Sequence, residues 1–287
     1  MIKITADSTC DLTPEIIEAL AIEIIPVHIV IDDEIYEDNI NIHAQDIFTK
    51  VEIEHRSCKT AAVNEQEYEV FFQRLSGQYE AVIHLSLGAK FSSCWQNASQ
   101  AAKHYPNIHV IDTQNLSSAS GYLVYKAAQL AQAGQPLPVI LAEIKSYVPT
   151  MDASFVIDKL DYLYKGGRCT GVEMVSTKFL RIKPCIEVKE GEMKVGKKYR
   201  GSLDLSLRNY LKDRLSSPQI DRSLIFITHA ACQPETVRLV KEQIMRDFPF
   251  EQVIITTAGC TISAHCGPNT LGVLFRHQNA ATPSSDI

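Results

Sequence analysis

Through the first half of the chain, short apolar runs alternate with stretches whose apolar positions recur at helical spacing. Ile2-Lys-Ile-Thr5 alternates with the period of a strand, and Thr13-Pro14-Glu15 then supplies a cap residue with proline at the first helical position, predicting a helix toward Leu20. Ile22 to Ile31 reads as another strand, bent or at an edge because Pro26 has no N–H to give to a ladder. Asn64 followed by Glu67 is a capping-box start for a helix through Leu75. Ala81 to Ser86 is the next strand, followed by a helix from about Ser93 to His104, a strand from Ile108 to Ile111 and a helix from Ser118 to Gln132.

Strands separated by helices of that length pair in parallel through right-handed crossovers, so the pattern predicts an N-terminal doubly wound parallel-sheet α/β domain. Ligands of such sheets collect beyond the carboxyl ends of the strands. Three polar clusters fall there: Asp7-Ser8-Thr9, Ser86 with Phe91-Ser92-Ser93, and Asp112-Thr113. Gly134 to Pro138 is a break, with a helix from about Val139 to Val148 still belonging to the first half. From Ala153 onward strands dominate. Pro184 to Lys189 and Glu192 to Gly196 flank Glu190-Gly191 as a hairpin, and Leu224 to Thr228 and Val253 to Thr256 enclose a helix from about Glu235 to Phe248. The expectation is an α/β protein of two domains, 1–150 and a C-terminal α+β domain over 151–287, with a ligand site between them.

Composition narrows the classes of function. A chain of 287 residues, 45% hydrophobic and 22% charged, has the material for buried cores. Its net charge of -6 and the lack of a long Lys/Arg run argue against nucleic acid as a partner. No apolar stretch is long enough for a membrane span, and the first residues lack the apolar centre of a signal peptide, so the expected compartment is the cytoplasm. Eight scattered cysteines without a C-x-x-C pair read as reduced thiols. Cys260, His265 and Cys266 would make one corner of a metal site, but no second ligand pair accompanies them, and no metal or cofactor is expected.

Among the motifs, Gly191 to Lys198 falls short of a P-loop: it ends in Lys-Lys where a Ser/Thr must reach magnesium, and it sits in a hairpin. A hydrolase triad could be assembled from Ser92, His265 and Asp7, since triads are defined by geometry rather than order. Arg168, in Lys165-Gly-Gly-Arg168, has two readings: a fork of donors for an anion, or a surface arginine after a glycine C-cap. His265, among small residues before Gly267-Pro268, is either a functional group or a core histidine bonded to a carbonyl. Lys194, Lys197, Lys198 and Arg200 form either a solvated hairpin face or a docking face for a partner. Trp95 reads as core.

Taken together, Asp7-Ser-Thr-Cys-Asp-Leu12, Lys59-Thr60, Phe91-Ser92-Ser93-Cys94-Trp95, Val110-Ile-Asp-Thr113, Leu160-Asp-Tyr-Leu-Tyr-Lys-Gly-Gly-Arg168, Lys183-Pro184 and Ala264-His265-Cys-Gly-Pro268 resemble the DegV family over about residues 2–280. That family contains bacterial fatty-acid-binding proteins, including the acyl-carrying FakB subunit of fatty acid kinase. The resemblance implies a carrier rather than an enzyme, holding one long-chain fatty acid with its tail in an apolar tunnel and its carboxylate at the domain junction. It implies that Thr60, Ser92 and His265 hold the head group, with Ser93 and Arg168 beside them. It also implies a separate kinase subunit that phosphorylates the bound carboxylate, for which the hairpin of Lys194 to Arg200 is the candidate docking face. The chain departs from the family pattern at Thr60-Ala61-Ala62-Val63, where Thr-Ser-Gln-Pro is usual, and at Ser92-Ser93-Cys94, where Ser-Gly-Thr is usual. Two other functions remain in view: a Ser/His hydrolase of acyl esters, and a binding protein for another amphipathic carboxylate.

Overall fold

The computed structural model describes residues 1–170 and 182–278; Gly171 and the end of the chain lie outside them. Among the described residues the strands form three sheets. The first contains β1 (Ile2–Asp7) and β2 (Glu23–Ile25), joined by helix α1 (Pro14–Ala19), whose cap is the Thr13 hydroxyl accepting from the Ile16 N–H at 3.4 Å. The expected single strand from Ile22 to Ile31 is instead two. Pro26 interrupts it, and β3 (His28–Ile31) leaves for a second sheet, pairing antiparallel with β4 (Glu34–Glu37) and, beyond helix α2 (Ala44–Phe48), with β5 (Cys58–Ala61). The N–H of Val27 at the break is taken by the Ser8 hydroxyl at 3.1 Å, so the bend leaves that donor satisfied.

The Asn64–Glu67 capping box closes reciprocally at 2.9 and 2.7 Å and starts α3 (Glu65–Ser76). Then follow β6 (Ala81–Ser86), α4 (Cys94–Ala102), β7 (Ile108–Asp112), α5 (Ser117–Gln132) and α6 (Leu137–Tyr147). The first sheet is parallel, in the order β2-β1-β6-β7. Strand alternation decides its two faces. Ile83 and Leu85 pack with α5 and α6, while Val82 packs among Tyr68, Phe72 and Ala98 of α3 and α4. This is the expected doubly wound arrangement.

From Met151 onward every described strand enters one seven-stranded mixed sheet. Its members are β8 (Met151–Val156), β9 (Cys169–Thr170) after helix α7 (Leu160–Gly166), β10 (Ile182–Lys189), β11 (Glu192–Arg200), β12 (Ile220–Ala230), β13 (Val253–Thr257) and β14 (Thr270–His277). The order is β13-β12-β14-β8-β10-β11-β9. Helices α8 (Leu203–Leu215) and α9 (Pro234–Asp247) cover one face with Leu207, Tyr210, Leu211, Val240 and Ile244. The other face meets α5, where Phe226, Leu274 and Ala153 share a core with Tyr122 and Leu123. Helix α5 is thus packed between the parallel sheet and the mixed one. The last helix, α10 (Cys260–Cys266), crosses from β13 toward the N-terminal sheets and carries His265.

Candidate functional site

A cavity of about 140 Å³ lies where the loops after β2, β6 and β7 face α10. The N-terminal domain supplies Val27, Thr60, Leu87, Phe91, Ser92, Ser93 and Leu116 to its wall, and the C-terminal domain supplies Arg168, Met193, Thr261, Ile262, His265 and Cys266. Four of these, Val27, Leu87, Phe91 and Leu116, follow the carboxyl ends of parallel strands, where such sheets place their ligands. All five residues singled out from the sequence, Thr60, Ser92, Ser93, Arg168 and His265, line this one space.

One of the bonds that cross this space joins Thr60 Oγ1 and His265 Nε2, 2.8 Å apart. The other ring nitrogen, Nδ1, is buried and has no partner among the described residues. That asymmetry assigns the tautomer: a buried N–H without an acceptor costs more than a bare lone pair, so the proton sits on Nε2 and is donated to Thr60. The threonine oxygen is then an acceptor toward the histidine, and its own hydrogen is free to point into the cavity.

Burial, followed by the Arg168 charge, lowers the His265 pKa to about 4, so the ring is neutral at physiological pH. The unfolded chain takes up this proton near 6.5 and the folded chain only near 4. The stabilising contribution of the neutral ring is therefore present above about 6.5 and lost as pH falls toward 4, on the order of 3 kcal/mol. Denaturant titrations of wild type and His265→Phe between pH 7 and 4 are expected to converge as the pH falls; parallel curves would mean that His265 titrates normally.

Ser92 opens the turn into α4. Its hydroxyl donates to Cys94 Sγ at 3.2 Å and accepts from the Cys94 N–H at 3.3 Å. Sulfur is a weak acceptor, so the hydroxyl can redirect its hydrogen to an anion in the cavity at little cost. Ser93, in contrast, is exposed at the rim. Arg168 stands at the mouth, its guanidinium donating to the Gly166 carbonyl at 2.7 Å and to the Phe91 carbonyl at 3.5 Å. Helix α7 ends at Gly167 with φ 65°, the glycine C-cap of the second reading, and Arg168 after it lines the cavity. The loop after β6 is fixed from below by Asp7, which accepts from the Ser86 hydroxyl and the Leu87 N–H, each at 2.7 Å. Against burial, the imidazole of His84 foremost, then the Tyr68 and Ser86 hydroxyls, keeps the carboxyl below its ordinary range.

This placement corrects the triad reading. Asp7 is held by Ser86, Leu87, Tyr68 and His84, while His265 has no carboxylate on Nδ1 and pairs through Nε2 with Thr60 rather than Ser92. Among the described residues no group of His, Cys, Asp and Glu has the arrangement of a metal site, and no helix is long and apolar enough to cross a membrane. The near-P-loop is part of the β10–β11 hairpin. On that hairpin Lys194 pairs with Glu192 and Lys197 with Asp213, leaving Lys198 and Arg200 exposed and without an ion pair among the described residues.

Sequence reasoning missed Thr261, whose buried hydroxyl lines the cavity without a partner, and the apolar wall of Leu116, Ile262 and Cys266. It also missed a second, narrower space of about 30 Å³ that shares those three residues and is lined on its far side by Phe155, Ala230, Ala258 and Leu274.

Residues 1–278 match the family described as "Uncharacterised protein, DegV family". A DegV domain-containing protein of Caldanaerobacter subterraneus is 29% identical over 96% of this chain and 99% of its own length. A solved DegV family protein from Thermus thermophilus, described for its fatty acid binding, superposes with a TM-score of 0.89 at 25% identity, covering 96% of this chain and 99% of that one. DegV of Bacillus subtilis, described as a fatty acid binding protein, gives a TM-score of 0.83 at 24% identity over 96% of this chain and 99% of its own.

Proposed function

The chain belongs to the DegV family, and we propose that it binds one long-chain fatty acid, with the carboxylate between Thr60, Ser92 and His265 and the tail directed past Leu116, Ile262 and Cys266. The observation that carries this reading is the 2.8 Å bond between Thr60 and His265, which joins the two domains at a cavity whose wall of Leu116, Ile262 and Cys266 is shared with a second, apolar space. Two hydroxyl hydrogens, from Thr60 and Ser92, are available to an anion there, and the Arg168 cation stands at the mouth. An ionised carboxylate in a cavity walled largely by carbon needs such donors, and charge-assisted bonds supply them.

The tail supplies most of the affinity. Each buried methylene contributes about 0.8 kcal/mol, so about fourteen give on the order of 11 kcal/mol before the costs of ordering and association. The passage is narrow, about 30 Å³. Its walls of Leu116, Ile262 and Cys266 must part by side-chain rearrangement to admit a chain.

The division into units at 150/151, with the site between them, is part of this reading. So is the role as a carrier that presents its lipid to a separate ATP-using kinase subunit, for which the exposed Lys198 and Arg200 offer a docking charge. Native mass spectrometry of the gently purified protein should find one fatty acid per chain, and the chain alone should neither consume ATP nor alter the lipid. Persistent absence of a lipid, with no uptake of added fatty acids, would overturn the reading. Ala258, 3% exposed and lining the inner passage, gives a finer test. Ala258→Leu fills space that the end of the tail would use and is expected to shift the co-purifying lipids toward shorter chains; an unchanged lipid profile would put the tail elsewhere.

A further inference from the structure

We propose that Asp38, with Asp11 beside it, is a positioning residue for the head-group site: these two carboxyl groups of the N-terminal domain cap the helix that carries His265 and so hold its imidazole on Thr60. Helix α10 begins after Gly259, which has no side chain with which to cap its own N-terminus. The caps come instead from the other domain. Asp11 Oδ1 accepts from the Gly259 N–H at 2.9 Å, Asp38 Oδ1 from the Cys260 N–H at 2.8 Å, and Asp38 Oδ2 from the Thr261 N–H at 3.3 Å.

Both groups are tied into the N-terminal domain by their remaining bonds. Asp38 Oδ2 also accepts from the Ser8 hydroxyl at 3.0 Å, and that same hydroxyl receives the N–H of the cavity residue Val27. Asp11 Oδ2 accepts from the Ser117 hydroxyl at the start of α5. The two are 1% and 4% exposed for Asp38 and Asp11 respectively, so neither bond set competes with bulk water. Burial, reinforced by the neighbouring Asp38 charge, pushes the Asp11 pKa up to about 8. A neutral Asp11 at physiological pH allows two carboxyl groups to crowd one helix end.

Gly259 shows that the arrangement is built for caps in trans. A Cβ there would meet Asn39 Nδ2 at 2.7 Å and the Asp11 and Asp38 oxygens at 3.2 Å each, so the space of a local capping side chain is already occupied by the other domain. A helix of two turns has little stability of its own. Loss of its caps therefore frees it to rotate or fray, and His265 rides on its last turn. A displacement near 1 Å is enough to break a 2.8 Å hydrogen bond.

The prediction for affinity rests on the proposed function, but the position of the histidine does not. The first readout is accordingly the ring ¹⁵N resonances of His265 in the lipid-free protein, which report whether Nε2 is hydrogen-bonded. In Asp38→Ala the Nε2 signature is expected to move to that of an unbonded ring, and the dissociation constant for oleate to rise on the order of tenfold, the worth of one helix cap. Asp38→Asn, which keeps the shape and one acceptor, should show a smaller change of the same kind. Gly259→Ser in a combined Asp38→Ala and Asn39→Ala background, where the nearest obstacle to a Cβ at 259 and one of the two carboxyl oxygens beside it have gone, should restore the signature by capping the helix locally. Unchanged ring resonances in both Asp38 variants would overturn the proposal, even if the melting temperature fell. Failure of both to fold would also count against it, because the carboxylate would then hold the whole fold rather than the histidine. A wild type that takes up no oleate would remove the proposed function and leave the ring signature to decide this one.

Discussion

Thr60→Ala combined with Ser92→Ala is expected to weaken fatty acid binding by about a hundredfold or more while leaving the protein folded. In the proposed function each substitution removes one hydroxyl donor to the carboxylate, and hydrogen bonds to a charged partner are worth roughly 1.5–3 kcal/mol each. Two together reach about 3–6 kcal/mol if they act independently. The cost to folding is smaller, because Ser92 bonds only a thiol and an N–H at its own turn, and the loss of Thr60 orphans one buried N–H of His265, about 1–3 kcal/mol. Calorimetric titration with oleate, paired with thermal melts of the lipid-free proteins, separates the two effects. A dissociation constant within a few-fold of wild type would place the carboxylate away from these hydroxyls. A primary alcohol of the same chain length provides the complementary control, since without the charge it should lose much less on the same substitutions.

The second large effect is steric. Gly166 ends α7 directly against His265, and a Cβ built there would sit 2.2 Å from Nδ1 and 3.2 Å from Cε1. No ordinary packing tolerates 2.2 Å, and the obstacle is a ring held by its own helix rather than the free end of a flexible chain. Gly166→Ala must therefore push the imidazole away from Thr60. It should cost about 1–3 kcal/mol of stability, as overpacking does, and weaken lipid binding about as much as deleting the histidine. The double variant Gly166→Ala with His265→Ala is the informative comparison: removing the ring makes room for the methyl, so the double should be more stable than Gly166→Ala alone. Strict additivity of the two losses would show that the methyl is absorbed without touching His265.

The alternation of strands and helices was readable because each parallel crossover needs a helix of ordinary length, and two of those helices carry caps of their own, Thr13 and the Asn64–Glu67 pair. The break at Pro26 was legible only as a bend. Nothing local says that β3 joins a different sheet, since that depends on pairing with Cys58–Ala61, far along the chain. Helix α10 escaped prediction for a related reason: its caps lie at positions 11 and 38, so no capping residue precedes it. The site itself has the same character. Thr60 and His265 stand 205 positions apart, and only the order of motifs shared with a known family suggested that they meet. The glycine C-cap before Arg168 was legible from the Gly-Gly pair itself.

The placement of α5 between the two sheets has a consequence for how the molecule comes apart. Its side chains complete the interior of the parallel sheet on one flank and of the mixed sheet on the other, through Tyr122, Leu123 and Phe226. Neither sheet can lose its order without exposing the helix that the other needs, so heat or denaturant should melt the protein in one transition rather than two. A chain cut between α6 and β8 would leave the first fragment with a bare apolar flank and the second without its covering. Each half is thus a poor candidate for independent life, and the pair behaves in unfolding as a single cooperative body.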